Sequence, residues 1–145
     1  MTCILALDHG SRRVGVAIGE TETGLAFARP ALVRRGGEQD VEAVAGMVRE
    51  EGVQTILVGL PLKMDGSEGR EAAAARAFGQ RLAVIGPEIV YVDERLSSWQ
   101  AGEELKAAGR RPSRRSGELD SAAARLFLQQ YLDDDRRQPA PKEAR

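Results

Sequence analysis

The segment Val53 to Leu60 constrains the fold most, because it is apolar without alternation, the pattern of a strand covered on both faces. Directly before it, Val41, Val44, Ala45 and Val48 recur at i, i+3, i+4 and i+7, which predicts a helix over Gln39 to Glu51 with one apolar stripe, ended by Gly52. A helix feeding a doubly covered strand makes a parallel crossover the natural connection. The centre of the chain therefore reads as a sheet with helices packed on it.

The flanks extend that sheet. Ile4 to Leu7 is a short apolar run closed by Asp8, His9-Gly10-Ser11 supplies turn chemistry, and Arg13 to Ile18 places Val14, Val16 and Ile18 on one face, so a hairpin is predicted. Gly15, Ala17 and Gly19 on the other face are all small, which calls for close packing over the second strand. A third strand is expected over Leu25 to Val33, with Pro30 assigning it to an edge or a bent end. After Leu60 comes a loop, Pro61 to Gly69, in which Asp65 and Glu68 are placed to cap the next helix. That helix spans Arg70 to Ala83, with Ala75, Phe78 and Leu82 on one face, and a strand follows over Ile89 to Val92. Ser97 and Gln100 resemble a capping box for a helix to Ala108, which Gly109 stops. Leu119, Ala122, Ala123, Leu126, Phe127 and Gln130 mark a last helix. The order describes a mixed-sheet α/β domain over residues 1–132, with a charged, proline-containing, flexible tail expected over 133–145.

At 145 residues with 42% hydrophobic content, one ordinary core is the expectation, with no need of disulfides or a structural metal. A lone Cys3 in an apolar run gives no disulfide framework and no cysteine-based zinc site, and fits a reducing, cytoplasmic setting. The longest uncharged apolar stretch, Val53 to Leu62, is far short of the roughly 20 residues that cross a bilayer, and no signal-peptide pattern opens the chain. The formal charge of -1 excludes attachment to nucleic acid by bulk positive charge. It leaves local patches open, and the cations are mostly arginine, with pairs at Arg12 and Arg13, Arg34 and Arg35, Arg110 and Arg111, and Arg114 and Arg115.

Three acids stand at element ends: Asp8 after the first strand, Glu94 after the last, and Asp120 inside the start of a helix, on a face with Ala123, Ala124, Phe127 and Tyr131. A carboxylate directed at packed structure needs compensation. Hard divalent cations take carboxylate oxygens and keep waters and substrate phosphate oxygens in their remaining positions, which suits phosphodiester hydrolysis. The other reading is plainer: Asp8 and Glu94 terminate strands, and Asp120 favours a first helical turn. The arginines of Arg110 to Arg115 form either a solvated loop or a clamp for a phosphate backbone. His9 has three readings, an extra ligand, a proton carrier or a turn residue, of which the turn is favoured. Tyr91 and Trp99 are too isolated for a stacking platform and read as packing residues. Gly10 to Gly19 lacks the dinucleotide fingerprint, Gly59 to Gly69 lacks a P-loop, and no nucleophile elbow is present.

Four blocks taken together resemble the YqgF/RuvX family: Leu7-Asp8-His9-Gly10-Ser11-Arg12-Arg13-Val14-Gly15-Val16-Ala17; Val58-Gly59-Leu60-Pro61-Leu62 with Asp65-Gly66-Ser67-Glu68-Gly69; Val92-Asp93-Glu94-Arg95-Leu96-Ser97-Ser98; and Leu119-Asp120-Ser121-Ala122-Ala123-Ala124 leading to Leu128-Gln129-Gln130-Tyr131-Leu132. The resemblance implies a ribonuclease H-like α/β fold, a five-stranded mixed sheet with helices on both faces. It implies Asp8, Glu94 and Asp120 as the catalytic acids, read here as metal-binding for Mg2+ or Mn2+; His9, a candidate auxiliary, comes from this sequence and not from the resemblance. Arg12, Arg13, Arg95, Arg110, Arg111, Arg114 and Arg115 are the expected nucleic-acid contacts. The chain departs from the family at His9, where a small or apolar residue is usual, and in an arginine-rich rather than lysine-rich loop before Asp120.

The implied activity is that of a metal-dependent nuclease in ribosome biogenesis, processing the 5′ end of precursor 16S rRNA. Its alternatives are a structure-selective DNA junction endonuclease and a non-catalytic nucleic-acid-binding assembly factor. The partner expected is structured RNA or branched DNA and not a membrane, with the protein a monomer or homodimer.

Overall fold

The structure, a computed structural model, describes residues 2–95, 97–109 and 117–137, apart from the side chains of 97–99 and 135–137. The strands are β1 (Cys3–His9), β2 (Arg13–Glu20), β3 (Leu25–Val33), β4 (Val53–Leu60) and β5 (Glu88–Asp93). The helices are α1 (Gly37–Glu51), α2 (Arg70–Leu82), α3 (Ser97–Ala107) and α4 (Glu118–Arg137). Among the described residues, no helix is long and apolar enough to cross a membrane.

The sheet is five-stranded in the order β3-β2-β1-β4-β5. β4 runs parallel to both β1 and β5, whereas β2 is antiparallel to β1 and β3. The crossover expected from the Val53 to Leu60 run is thus present, with β4 inside the sheet and Ile56, Leu57 and Val58 fully buried. β3 is an edge strand, and its register against β2 shifts between Val14 and Val16, beside the segment that holds Pro30. A proline cannot donate to a ladder, so an edge is where it is tolerated.

Each face has its own core. On one, Leu5, Leu7, Val14, Val16, Ile56 and Val58 meet Val44 of α1 and Phe78 and Leu82 of α2. On the other, Ile4, Ala6, Ala17 and Leu57 meet Ala124, Phe127, Leu128 and Leu132 of α4. The small residues of β2 are what let α4 approach. α1 ends as its sequence requires, with Gly52 left-handed at φ 68° and its N–H donating to the Val48 carbonyl.

Two local expectations are corrected. Asp65 and Glu68 do not cap α2, whose N-cap is Gly69 without a side-chain hydrogen bond. Asp65 Oδ1 instead accepts from the Ser67 N–H and hydroxyl inside the loop, and Glu68 pairs with Arg76 at 2.6 Å. α4 also continues to Arg137, past Asp133 where a tail was expected. Leu132 is 1% exposed in the core and Gln129 bonds the Ala26 N–H and the Gly24 carbonyl, so the helix is docked up to that point, and an i,i+4 bond from the Gln129 amide to Asp133 Oδ1 at 3.0 Å carries it onward. Residues 138–145 lie outside the described residues.

Candidate functional site

Because β1, β4 and β5 are parallel, their C-terminal ends share one edge of the sheet, where open α/β sheets place ligands. Asp8 stands near the end of β1 and Glu94 directly after β5, with the Glu94 N–H donating to the Leu60 carbonyl at 3.2 Å. Both acids are buried, at 7% and 5% exposure.

Two glycines bring the third acid and the helix into place. Gly15 is the cross-strand partner of Asp8. A Cβ there would collide with the Asp120 carbonyl and approach the Ser121 nitrogen to 2.6 Å, so the first turn of α4 rests on bare backbone. Ser121 Oγ accepts the Val16 N–H at 3.0 Å, where the β2–β3 register shifts, and fixes that docking. Gly59 of β4 does the same for Glu94: a Cβ would lie 2.7 Å from the Phe127 ring and 3.0 Å from Glu94 Oε1.

The three carboxyl groups interact. Asp8 and Glu94 share a side-chain hydrogen bond, and Asp120 acts on Glu94 through its charge. Burial, the largest influence, raises the Glu94 pKa above the ordinary carboxyl range; the bond to Asp8 opposes this, while the charges of Asp120 and Asp93 add to it. Glu94 Oε1 is buried and has no hydrogen-bond partner among the described residues.

Among the described residues, no three or more His, Cys, Asp or Glu side chains form a ready-made metal cage. Mg2+ does not require one: it binds through one or two carboxylates and keeps waters and substrate phosphate oxygens in its other positions. The hard oxygen donors of Asp8 and Glu94 fit such an ion, with the orphaned Glu94 Oε1 as a free donor and Asp120 adding negative charge nearby.

His9 is not brought into this group. Successive strand residues face opposite sides of a sheet, and the His9 ring lies on the other face, 4.8 Å from the Phe78 ring of α2. Burial chiefly, then the charges of Arg34 and Arg81, lowers its pKa to about 4 against the pull of Asp40. Arg12 is exposed on the β1–β2 turn, and Arg13 is half-buried with its Cδ facing Gly117. Arg95 folds back on Asp93, Nε and Nη2 donating to Oδ2 at 2.9 and 2.7 Å. Arg110, Arg111, Arg114 and Arg115 lie outside the described residues. Tyr91 is a packing residue, closely apposed to Gly79 and donating to the Arg76 carbonyl at 3.3 Å.

Arg34 and Asp40 were not singled out as site residues. Asp40, 7% exposed, accepts the Arg35 N–H at 2.8 Å and stands 3.6 Å from Arg34 Nε. Arg34 Nη1 then donates to the Gly10 carbonyl at 3.1 Å and props the turn that follows Asp8. The available signal was an acid on the buried stripe of α1, four residues before Val44. A groove of about 460 Å³ between β3, α3 and α4 includes Ser121 and Arg125 but none of the three acids.

A family model described as "RuvX: Holliday junction resolvase" matches residues 2–134. A Synechococcus protein named "Putative pre-16S rRNA nuclease" is 44% identical over 137 residues, 91% of this chain and 89% of that one. A Thermus thermophilus protein of the same name is 42% identical over 127 residues, covering 88% and 94% of the two chains. T. thermophilus RuvC, solved in complex with a Holliday junction substrate, superposes with a TM-score of 0.56 at 13% identity, over 94% of this chain and 96% of that one. The architecture is therefore the ribonuclease H-like fold of RuvC.

Proposed function

This chain belongs to the RuvX family, and on that premise we propose that it is a divalent-cation-dependent nuclease that cuts phosphodiester bonds at the 5′ end of precursor 16S rRNA. The observation that carries the proposal is the burial of Asp8 and Glu94 at the same end of the parallel strands, with the Asp120 turn of α4 seated on Gly15, the cross-strand partner of Asp8.

Asp8 and Glu94 would hold Mg2+ or Mn2+, with Asp120 completing the acidic set. Such an ion supplies Lewis-acid polarisation of the phosphodiester and lowers the pKa of water at the site. Asp8 and Glu94 are kept in position by the strand ends, and Asp120 by the seat of α4 on Gly15. Hydrolysis adds the oxygen of water to phosphorus and breaks one P–O ester bond. Arg12, exposed on the β1–β2 turn four residues after Asp8, would pair with substrate phosphates, and the arginines of 110–115 lead along the chain into the helix that bears Asp120. We place this activity in the cytoplasm, consistent with a free, buried Cys3.

The family description favours a second reading, cleavage of branched DNA, for which a two-fold dimer would present two sites to two strands. One experiment separates these. A precursor 16S rRNA fragment with its 5′ extension and a four-way DNA junction are each incubated with the chain and Mg2+ or Mn2+, beside Asp8→Asn. Expected is cation-dependent shortening of the RNA, reduced at least ~10²-fold in Asp8→Asn, the scale of a lost cation contact. Cleavage of the junction alone would transfer the assignment to DNA. Binding without cleavage of either, by wild type and variant alike, would leave a binding factor and no enzyme.

A further inference from the structure

Met64 is the most exposed large apolar side chain described, at 89%, yet it is presented by a tightly built loop. Within Pro61 to Gly69, Lys63 N–H donates to the Ser67 carbonyl at 2.9 Å and Gly66 N–H to the Lys63 carbonyl at 2.8 Å. Ser67 donates twice to Asp65 Oδ1, and Gly66 takes a φ of 88°, open to glycine. The loop is also tied to the site. Arg95, which follows Glu94 directly and is braced on Asp93, donates from Nη1 to the Met64 carbonyl at 3.3 Å. The loop leaves β4 at Leu60, whose carbonyl accepts the Glu94 N–H. An apolar side chain is thus held in solvent on a loop that is tied, through Arg95 and Leu60, to the segment that bears Glu94.

The surrounding charge indicates what would cover it. Three nearby acids are already engaged, Asp65 by Ser67, Glu68 by Arg76 and Asp93 by Arg95, and Glu71 follows Arg70 in the first turn of α2. Lys63 and Arg70 enter no ion pair among the described residues and are exposed. An apolar, polarisable tip flanked by available cations matches a nucleobase between phosphates, since thioethers pack well on aromatic faces and methionine serves as an apolar wedge between base steps.

We infer that Met64 is a wedge that packs against an unstacked base next to the bond to be cut, so that the site selects a strand where a duplex meets a single-stranded segment. This rests on the nuclease reading above for the identity of the substrate, but its test does not require cleavage. The probe is an RNA hairpin whose 5′ single-stranded extension carries 2-aminopurine at its first unpaired position, with a blunt RNA duplex of the same stem as reference, both in EDTA. Wild type is expected to brighten the probe and to prefer the hairpin over the duplex. Met64→Ser should abolish the brightening and weaken hairpin binding about ten-fold, the scale of one lost base contact, with duplex affinity and melting temperature unchanged. Met64→Leu should keep both. A dark probe with wild type, or Met64→Ser indistinguishable from wild type in fluorescence and preference, would overturn the wedge. Brightening by a chain that never cuts would sink the nuclease reading and leave the wedge standing; cleavage unaltered by Met64→Ser, with unaltered fluorescence, would do the reverse.

Discussion

A methyl group added at Gly15 would have to occupy the space of the Asp120 carbonyl, so Gly15→Ala forces the first turn of α4 off the sheet. Overpacking of this kind costs about 1–3 kcal/mol, and here it also displaces one of the three acids. Expected are a lower melting temperature and a loss of cleavage beyond what the lost stability explains; a variant with native stability and activity would show that the helix seat does not position Asp120. At His9, a folded pKa of about 4 lies below the ordinary 6.5, so the unfolded chain binds more protons between those values. Stability should therefore be greatest above pH 6.5 and fall as pH drops through the window toward 4. The charged groups facing the ring are Arg34, Arg81 and Asp40. NMR titration of the one histidine should give a midpoint well below 6, and a midpoint near 6.5 would place the ring in solvent. The small face of Gly15, Ala17 and Gly19 was legible as a packing surface, because a missing side chain is visible in sequence. The approach of Asp8 to Glu94 was not, since it joins two residues far apart in the chain, at the ends of strands separated by β4.

α4 binds the molecule together as an element. It carries Asp120, donates Phe127 to the space left at Gly59, and lends Ser121 to the backbone of β2. Its Gln129 accepts the Ala26 N–H at 3.0 Å and donates to the Gly24 carbonyl at 2.8 Å, so one amide satisfies two backbone groups at the edge strand. Ser121→Ala would leave the buried Val16 N–H unpaired, at a cost of about 1–3 kcal/mol. Hydrogen exchange at Val16 should accelerate accordingly, and unchanged exchange would mean that the bond does not hold the helix. The element boundaries of β3 and β4 were readable because hydrophobic pattern and turn residues agreed there. The end of α4 was misjudged because Asp133 and its neighbours look like solvent residues, while Leu132 and Gln129 keep the helix docked. Asp65 and Glu68 fit a capping pattern by spacing alone, but nearer partners took both.

Across the whole molecule, a net charge of -1 hides an uneven distribution: buried acids at the C-terminal edge of the parallel strands, an exposed Arg12 on the β1–β2 turn, and, in sequence, four arginines shortly before Asp120. Fold class was legible in the sequence because local period and family resemblance pointed the same way. Substrate identity was not, because phosphate contacts position a backbone without naming it. Neutralising Arg114 and Arg115 together should weaken RNA binding and make its salt dependence shallower, by nearly one in slope per lost phosphate contact. An unchanged slope would remove that segment from the interface. Metal-dependent cleavage depends most on Asp8 and Glu94 forming a cation site, and a crystal soaked in Mn2+ tests this with no assumption about substrate. An anomalous peak bound by Asp8 and Glu94, with Asp120 beside it directly or through water, is the expected result. Saturating Mn2+ with no peak between those carboxylates would contradict it.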